Sequence, residues 1–118
     1  MKYACLIYND ETNAETNPQF GTPGFEPMMA GYMAFGEKHG ARITGGEALH
    51  DTHTATSVRL RDGEIHRTDG PFAETKEHLG GFYIVEAENL DEAISVAADI
   101  PHAASGTVEV RPCMVFED

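Results

Sequence analysis

The sequence is short of positive charge. Of 118 residues, eight are Lys or Arg and 20 are Asp or Glu, a formal net charge of −12. Eight cations among so many carboxylates cannot lay a basic stripe along a phosphate backbone, so no nucleic-acid partner is expected. An anionic membrane surface is disfavoured for the same reason. Cysteine is scarce too. Cys5 and Cys113 are too few for a disulfide scaffold. No apolar run approaches the about 20 residues of a membrane span. The six-residue apolar run that ends at Tyr8 is too short for a signal-peptide core and has no cleavage site after it. These shortages predict a cytoplasmic protein with both thiols reduced. Catalytic signatures are also missing: there is no G-x-S-x-G, no Walker-type loop, no dinucleotide fingerprint and no HExxH. No cofactor is therefore expected. Internal repeats and low-complexity segments are absent as well.

What is present suits one domain spanning residues 1–118, with 41% apolar residues and a core of its own. A chain of this length buries roughly two-thirds of its extended surface. Its charge makes it self-repelling, so any oligomer must be held by apolar burial.

Lys2 to Tyr8 reads as a strand apolar on both faces, the pattern of a central strand covered on each side. Asn9 to Glu26 is a polar loop with Pro18, Pro23, Gly21 and Gly24, long enough to be a flap or to hold a short helical turn. Pro27 suits the first turn of a helix. Met28, Tyr32, Phe35 and His39 fall at helical spacing, and Gly40 is a stop. Gly31 and Gly36 weaken this helix and allow close packing on a sheet or a partner. Ala41 to Leu49 reads as a strand broken by Gly45-Gly46. Thr54 to Leu60 and Glu64 to Thr68 are alternating runs around Asp62-Gly63, a hairpin signal. Gly81 to Ala87 is a further strand. A second helix is capped by Asn89, with Glu92 placed to return the bond, and ended by Pro101. Thr107 to Phe116 is the last strand, with Pro112 marking an edge.

Without the hairpin between Thr54 and Thr68, the order is strand, helix, strand, strand, helix, strand. That is the split βαβ of ferredoxin-like α+β folds. Two helices cover one sheet face, and the apolar second face predicts a homodimer paired through the sheets.

The most distinctive stretch is Thr68-Asp69-Gly70-Pro71-Phe72-Ala73-Glu74-Thr75-Lys76-Glu77-His78-Leu79-Gly80-Gly81-Phe82-Tyr83. It resembles the DGPF signature of the YciI-related (YCII) proteins. The likeness extends from Lys2-Tyr3 through Asn89-Leu90-Asp91-Glu92-Ala93 to Gly106-Thr107-Val108-Glu109-Val110-Arg111-Pro112. The resemblance implies a dimeric α+β barrel. It also implies a regulatory setting beside an extracytoplasmic-function sigma factor, since many similar proteins are encoded next to one. The wider superfamily includes proteins with a proposed His–Asp acid–base pair, the His opening the first helix and the Asp directly preceding a Pro after the second. Here the first helix opens Phe25-Glu26-Pro27-Met28 without a His. Asp99 stands one residue further from Pro101 than that pattern asks.

Candidate site residues come from the same stretch and the last strand. Asp69, in Asp69-Gly70-Pro71, is first a turn residue. Facing a space between sheet and loop, its carboxyl would suit acid–base work. The Gly70-Pro71 bond is open to either isomer. Glu74 and Lys76, two apart, either form a solvated connection or present a carboxylate and an ammonium to a polar ligand. Glu109 and Arg111 share one face of the last strand. They face water in a lone sheet, or the interior of a dimeric barrel, where they would need partners or a ligand. Arg111 is the best carboxylate or phosphate clamp. Asp69 and Glu74 are thus the catalytic candidates, and Lys76, Glu109 and Arg111 the ligand-binding ones.

His50, Asp51 and His53 together hold three metal-ligating groups in a loop, but their spacing matches no metal motif, and no metal is expected. His39, His78 and His102 read as surface or helix-end residues. Cys5 and Cys113 lie on strands expected to be neighbours. Met28, Met29 and Met33 read as helix core or dimer contact. Three functions fit: a ligand-binding or regulatory dimer with a polar pocket around the DGPF segment; an enzyme moving a proton, as in isomerisation or elimination, with Asp69 or Glu74 as base; and a stable dimer whose signature is a folding motif.

Overall fold

A computed structural model of the chain describes residues 1–116. Six strands and two α-helices appear in the order β1 (Lys2–Asn9), α1 (Phe25–His39), β2 (Ile43–Ala48), β3 (Thr56–Arg61), β4 (Glu64–Asp69), β5 (His78–Glu86), α2 (Leu90–Ala98) and β6 (Thr107–Pro112). Single 3-10 turns at Thr52–Thr54 and Pro101–Ala103 join them. The main sheet is antiparallel in the order β2-β5-β1-β6, and β3 and β4 form a separate hairpin. This is the ferredoxin-like α+β arrangement, with first and last strands adjacent.

Alternation along β1 sets the layers. Tyr3, Cys5 and Ile7 point to the helix side and join Phe35, Val85, Ala93, Val96 and Ile100 in the core. Ala4, Leu6 and Tyr8 point the other way and are only half-buried. Their cross-strand partners on that open face include Phe82, Ile84, Glu109 and Arg111.

The local signals account for most boundaries. Asn89 caps α2, its side chain accepting from the Glu92 N–H at 2.9 Å. Glu92 returns its bond to the Glu88 N–H rather than to the cap itself. Asp62 and Gly63 both take positive φ, the twist a two-residue hairpin needs. The Gly45-Gly46 pair coincides with a register shift between β2 and β5. At Gly46 a Cβ would fall 2.5 Å from the Phe82 carbonyl oxygen, so the strands approach there as only glycine allows.

Some boundaries differ from the sequence reading. β5 begins at His78 rather than Gly81, because His78 and Leu79 pair with Asn9 and Tyr8 beyond a bulge at Gly80 of β5. β6 stops at Pro112, paired with Tyr3; the Cys113 N–H still donates to the Lys2 carbonyl at 2.9 Å, and Met114, Val115 and Phe116 beyond it are exposed. The loop after β1 holds one helical turn, the Asn17 N–H donating to the Asn13 carbonyl at 2.8 Å. Side chains of Asp10 and Asn13 accept from backbone N–H groups two residues on, which fixes the loop locally. The Gly70-Pro71 bond is trans, like every peptide bond among the described residues.

Candidate functional site

A cavity of about 480 Å³ is walled by α1, β2, β5 and the segment after β1. Phe25, Met28, Met29 and Tyr32 reach it at successive helical spacings from α1. Tyr83 closes it from β5, and Gly46, Gly80 and Gly81 line it without side chains. The wall is mainly apolar with a few polar groups, the usual constitution of a small-molecule site.

The cavity's polar centre is a pair that sequence reasoning missed. The Tyr32 hydroxyl lies 2.5 Å from Nδ1 of His102. Nε2 of His102 lies 2.9 Å from the Thr16 carbonyl. A carbonyl only accepts, so Nε2 carries a proton, and in the neutral ring Nδ1 accepts from the Tyr32 O–H. Burial pushes the Tyr32 phenol well above its ordinary pKa, and nearby Tyr83 adds to the shift. Tyr32 is therefore a neutral donor at physiological pH. His102 is half-buried rather than on the surface, because Pro101 seats its turn on α1. A Cβ at Gly31 would stand 3.1 Å from the Pro101 ring, so the missing side chain sets that contact.

Two acidic residues of the loops line the cavity, Glu11 and Asp51, while Glu47, paired with Phe82, borders it from a strand position that faces the open side of the sheet; among the described residues no Lys or Arg lines it. Glu11 is spent locally: its carboxylate accepts from the N–H and the hydroxyl of Thr52. Glu47 and Asp51 have no ion-pair partner among the described residues. Asn9, 5% exposed, also lines the cavity, and its Nδ2 has no hydrogen-bond partner among the described residues.

The residues singled out by sequence fall elsewhere. Asp69 ends β4, exposed, opposite Thr56. Glu74 and Lys76 are exposed in the connection to β5. Glu109 and Arg111 pair with each other at 3.6 Å on the open sheet face. None of the five lines the large cavity. The DGPF segment does border a second depression of about 440 Å³, where Pro71 and Phe72 meet Ser57, Arg59, Arg61 and His66 of the hairpin.

Two of the remaining histidines, His39 and His78, also find partners. His39 takes the helix-end alternative: it is 6% exposed at the end of α1, and its Nε2 lies 2.7 Å from Asp99. Asp99 also pairs with Lys38 at 2.9 Å. The His39 contact, then the Lys38 one, hold the Asp99 carboxyl below its ordinary pKa. This His–Asp pair ties the ends of the two helices and stands away from the cavity lining. His78 Nδ1 accepts from the Glu11 N–H. Burial, and then Cys113, push the Cys5 thiol up. Among the described residues no cluster of three or more His, Cys, Asp or Glu could hold a metal ion. None of their helices is long and apolar enough to cross a membrane.

The fold and this arrangement define an α+β domain of the YCII type. The profile of the YCII-related domain matches residues 1–117, and the chain belongs to that family. An uncharacterized protein of Rhizobium meliloti (strain 1021) is 36% identical over 121 residues, covering 99% of this chain and 95% of that protein. Among solved structures, the chain is similar in fold to the 5-chloro-2-hydroxyhydroquinone dehydrochlorinase of Burkholderia phenoliruptrix AC1100, solved in complex with 2,5-dihydroxybenzoquinone. That likeness has a TM-score of 0.53 at 18% identity and covers 97% of this chain and 94% of the other.

Proposed function

We propose that this YCII-related protein binds a small organic molecule in the cavity beside Tyr32 and His102. The observation that carries the reading is the Tyr32–His102–Thr16 hydrogen-bond chain ending in a mainly apolar cavity of about 480 Å³. A half-buried phenol held by the His102 imidazole offers a fixed polar contact to a ligand. It also offers a route along which one proton can pass from ligand to ring. The dehydrochlorinase of similar fold holds a small oxygen-bearing ring, a ligand of a size this cavity accepts.

The test is a fragment screen by protein-observed NMR on wild type and on Ala48→Trp. Ala48 is exposed on β2 and lines the cavity, so the indole fills the space with little cost to the fold. Fragments that shift Tyr32 and His102 resonances in wild type and not in Ala48→Trp support the reading. A screen in which no fragment distinguishes the two proteins overturns it.

A second polar site is proposed on the open sheet face. Leu6, Phe82 and Ile84 there form an incompletely covered apolar surface, which supports the homodimer. Pairing two such faces would enclose the Glu109–Arg111 pair. Light scattering that gives a monomer at micromolar concentration would remove this second site and leave the first untouched.

A further inference from the structure

We infer that the cavity selects an amine: a small aromatic molecule that bears a protonated nitrogen and a hydrogen-bonding oxygen. This rests on the small-molecule reading of the cavity and adds the ligand's charge class.

The charges decide first. Asp51 lines the cavity without an ion-pair partner, beside the carboxylate of Glu11, and among the described residues no Lys or Arg lines it. A concave wall of low dielectric with two carboxylates and no Lys or Arg focuses negative potential. A bound carboxylate or phosphate would meet repulsion and find no Lys or Arg to clamp it, only the imidazoles of His50 and His102. The excess of 12 negative charges over the whole chain acts in the same sense.

The aromatic wall decides next. Phe25, Tyr32 and Tyr83 all line the cavity. Aromatic faces attract a cation through their quadrupole, and more strongly where water is displaced. Tyr32 donates its own proton to His102, which leaves its oxygen lone pairs free to accept from an ammonium.

Asn9 supplies a third, independent observation. It is 5% exposed, borders the cavity, and has an amide nitrogen with no partner among the described residues. A buried donor without an acceptor is costly, and native proteins seldom leave one. By rotation the amide can offer that donor to an oxygen on the ligand. The ligand class is therefore an amine on an aromatic frame that also carries a hydroxyl or carbonyl.

Three isosteric probes test the charge class: tyramine, its alcohol analogue tyrosol, and its acid analogue para-hydroxyphenylacetate. Affinities are measured by NMR titration of the full chain. Tyramine should bind at least tenfold more tightly than either analogue and shift Asn9, Tyr32 and Tyr83. Asp51→Asn should weaken tyramine by roughly fivefold, as for a partly exposed ion pair of about 1 kcal/mol, and leave tyrosol unchanged. Ala48→Trp keeps the net charge and fills the cavity, so it should abolish tyramine binding. If tyrosol or the acid binds as tightly as tyramine, the amine assignment is wrong and the cavity reading stands. If tyramine binds Ala48→Trp as well as wild type, only diffuse charge attraction is at work, and the assignment is overturned. If none of the three binds, the assignment also falls, while the fragment screen decides the cavity separately.

Discussion

Tyr32 and His102, 70 positions apart, meet at 2.5 Å between the Tyr32 hydroxyl and Nδ1 of His102. One comes from the middle of α1, the other from the turn after α2. Their contact fixes both the ring tautomer and the polar point of the cavity.

Tyr32→Phe should keep the helix and lose the bond. Removing one hydrogen bond to a half-buried ring costs about 1 kcal/mol, which lowers Tm by roughly 3–6 °C in a domain of this size. Ligand contact at the cavity should weaken as well. Thermal unfolding followed by circular dichroism checks the first expectation. An unchanged Tm would mean that the bond contributes nothing to the folded state.

The tautomer is open to direct inspection. With Nε2 facing the Thr16 carbonyl, nitrogen NMR at neutral pH should find the His102 proton on Nε2 and Nδ1 bare. In Tyr32→Phe, Nδ1 loses its donor and its chemical shift should move towards that of a free imine nitrogen. A proton on Nδ1 in the wild type would contradict the chain of bonds.

Two glycines of α1 should respond in opposite directions. Nothing lies within 4 Å of a Cβ placed at Gly36, so Gly36→Ala should gain about 0.5–1 kcal/mol from helix propensity alone. At Gly31 a Cβ would already stand 3.1 Å from Pro101. Gly31→Val should therefore lose about 1–3 kcal/mol to overpacking and push His102 away from Tyr32. Denaturant melts of the two variants supply the comparison.

The His39–Asp99 pair gives a pH signature. His39, and then Lys38, depress the folded-state pKa of Asp99. Its contribution to stability is therefore full above the unfolded value of about 3.9 and is lost as pH falls through the lower folded value. Wild type should exceed Asp99→Asn in stability at pH 7, and the gap should close below about pH 4. Because Asp99 is partly exposed, the difference is modest and should shrink in high salt. A gap that widens on acidification would reverse the sign of the argument.

Most of the fold was legible because its signals are local. The alternation in β1, the Asn89 cap, the Asp62-Gly63 turn and the stop at Pro101 each depend on neighbours within a few positions. Boundaries went astray where pairing partners decided them, as at His78 and Pro112. The cavity was not legible, for a related reason. Met28 and Tyr32 sit four apart and advertise a shared helix face, but no spacing links either to His102. That link passes through the Gly31–Pro101 contact, which exists only in three dimensions. Asp69, Glu74 and Lys76 drew notice by their clustering in sequence, yet they sit exposed around a connection. His39 met Asp99 through the antiparallel return of the helices, which the element order implies but does not position.

The central claim is that a small molecule occupies the cavity beside Tyr32 and His102. Its most direct measurement is residue-resolved NMR titration with tyramine on wild type and on Ala48→Trp. The account predicts saturable shifts at Asn9, Tyr32, Tyr83 and His102 in wild type, and none of them in Ala48→Trp. Shifts confined to the hairpin depression or to the open sheet face, or shifts that survive filling of the cavity, would contradict it.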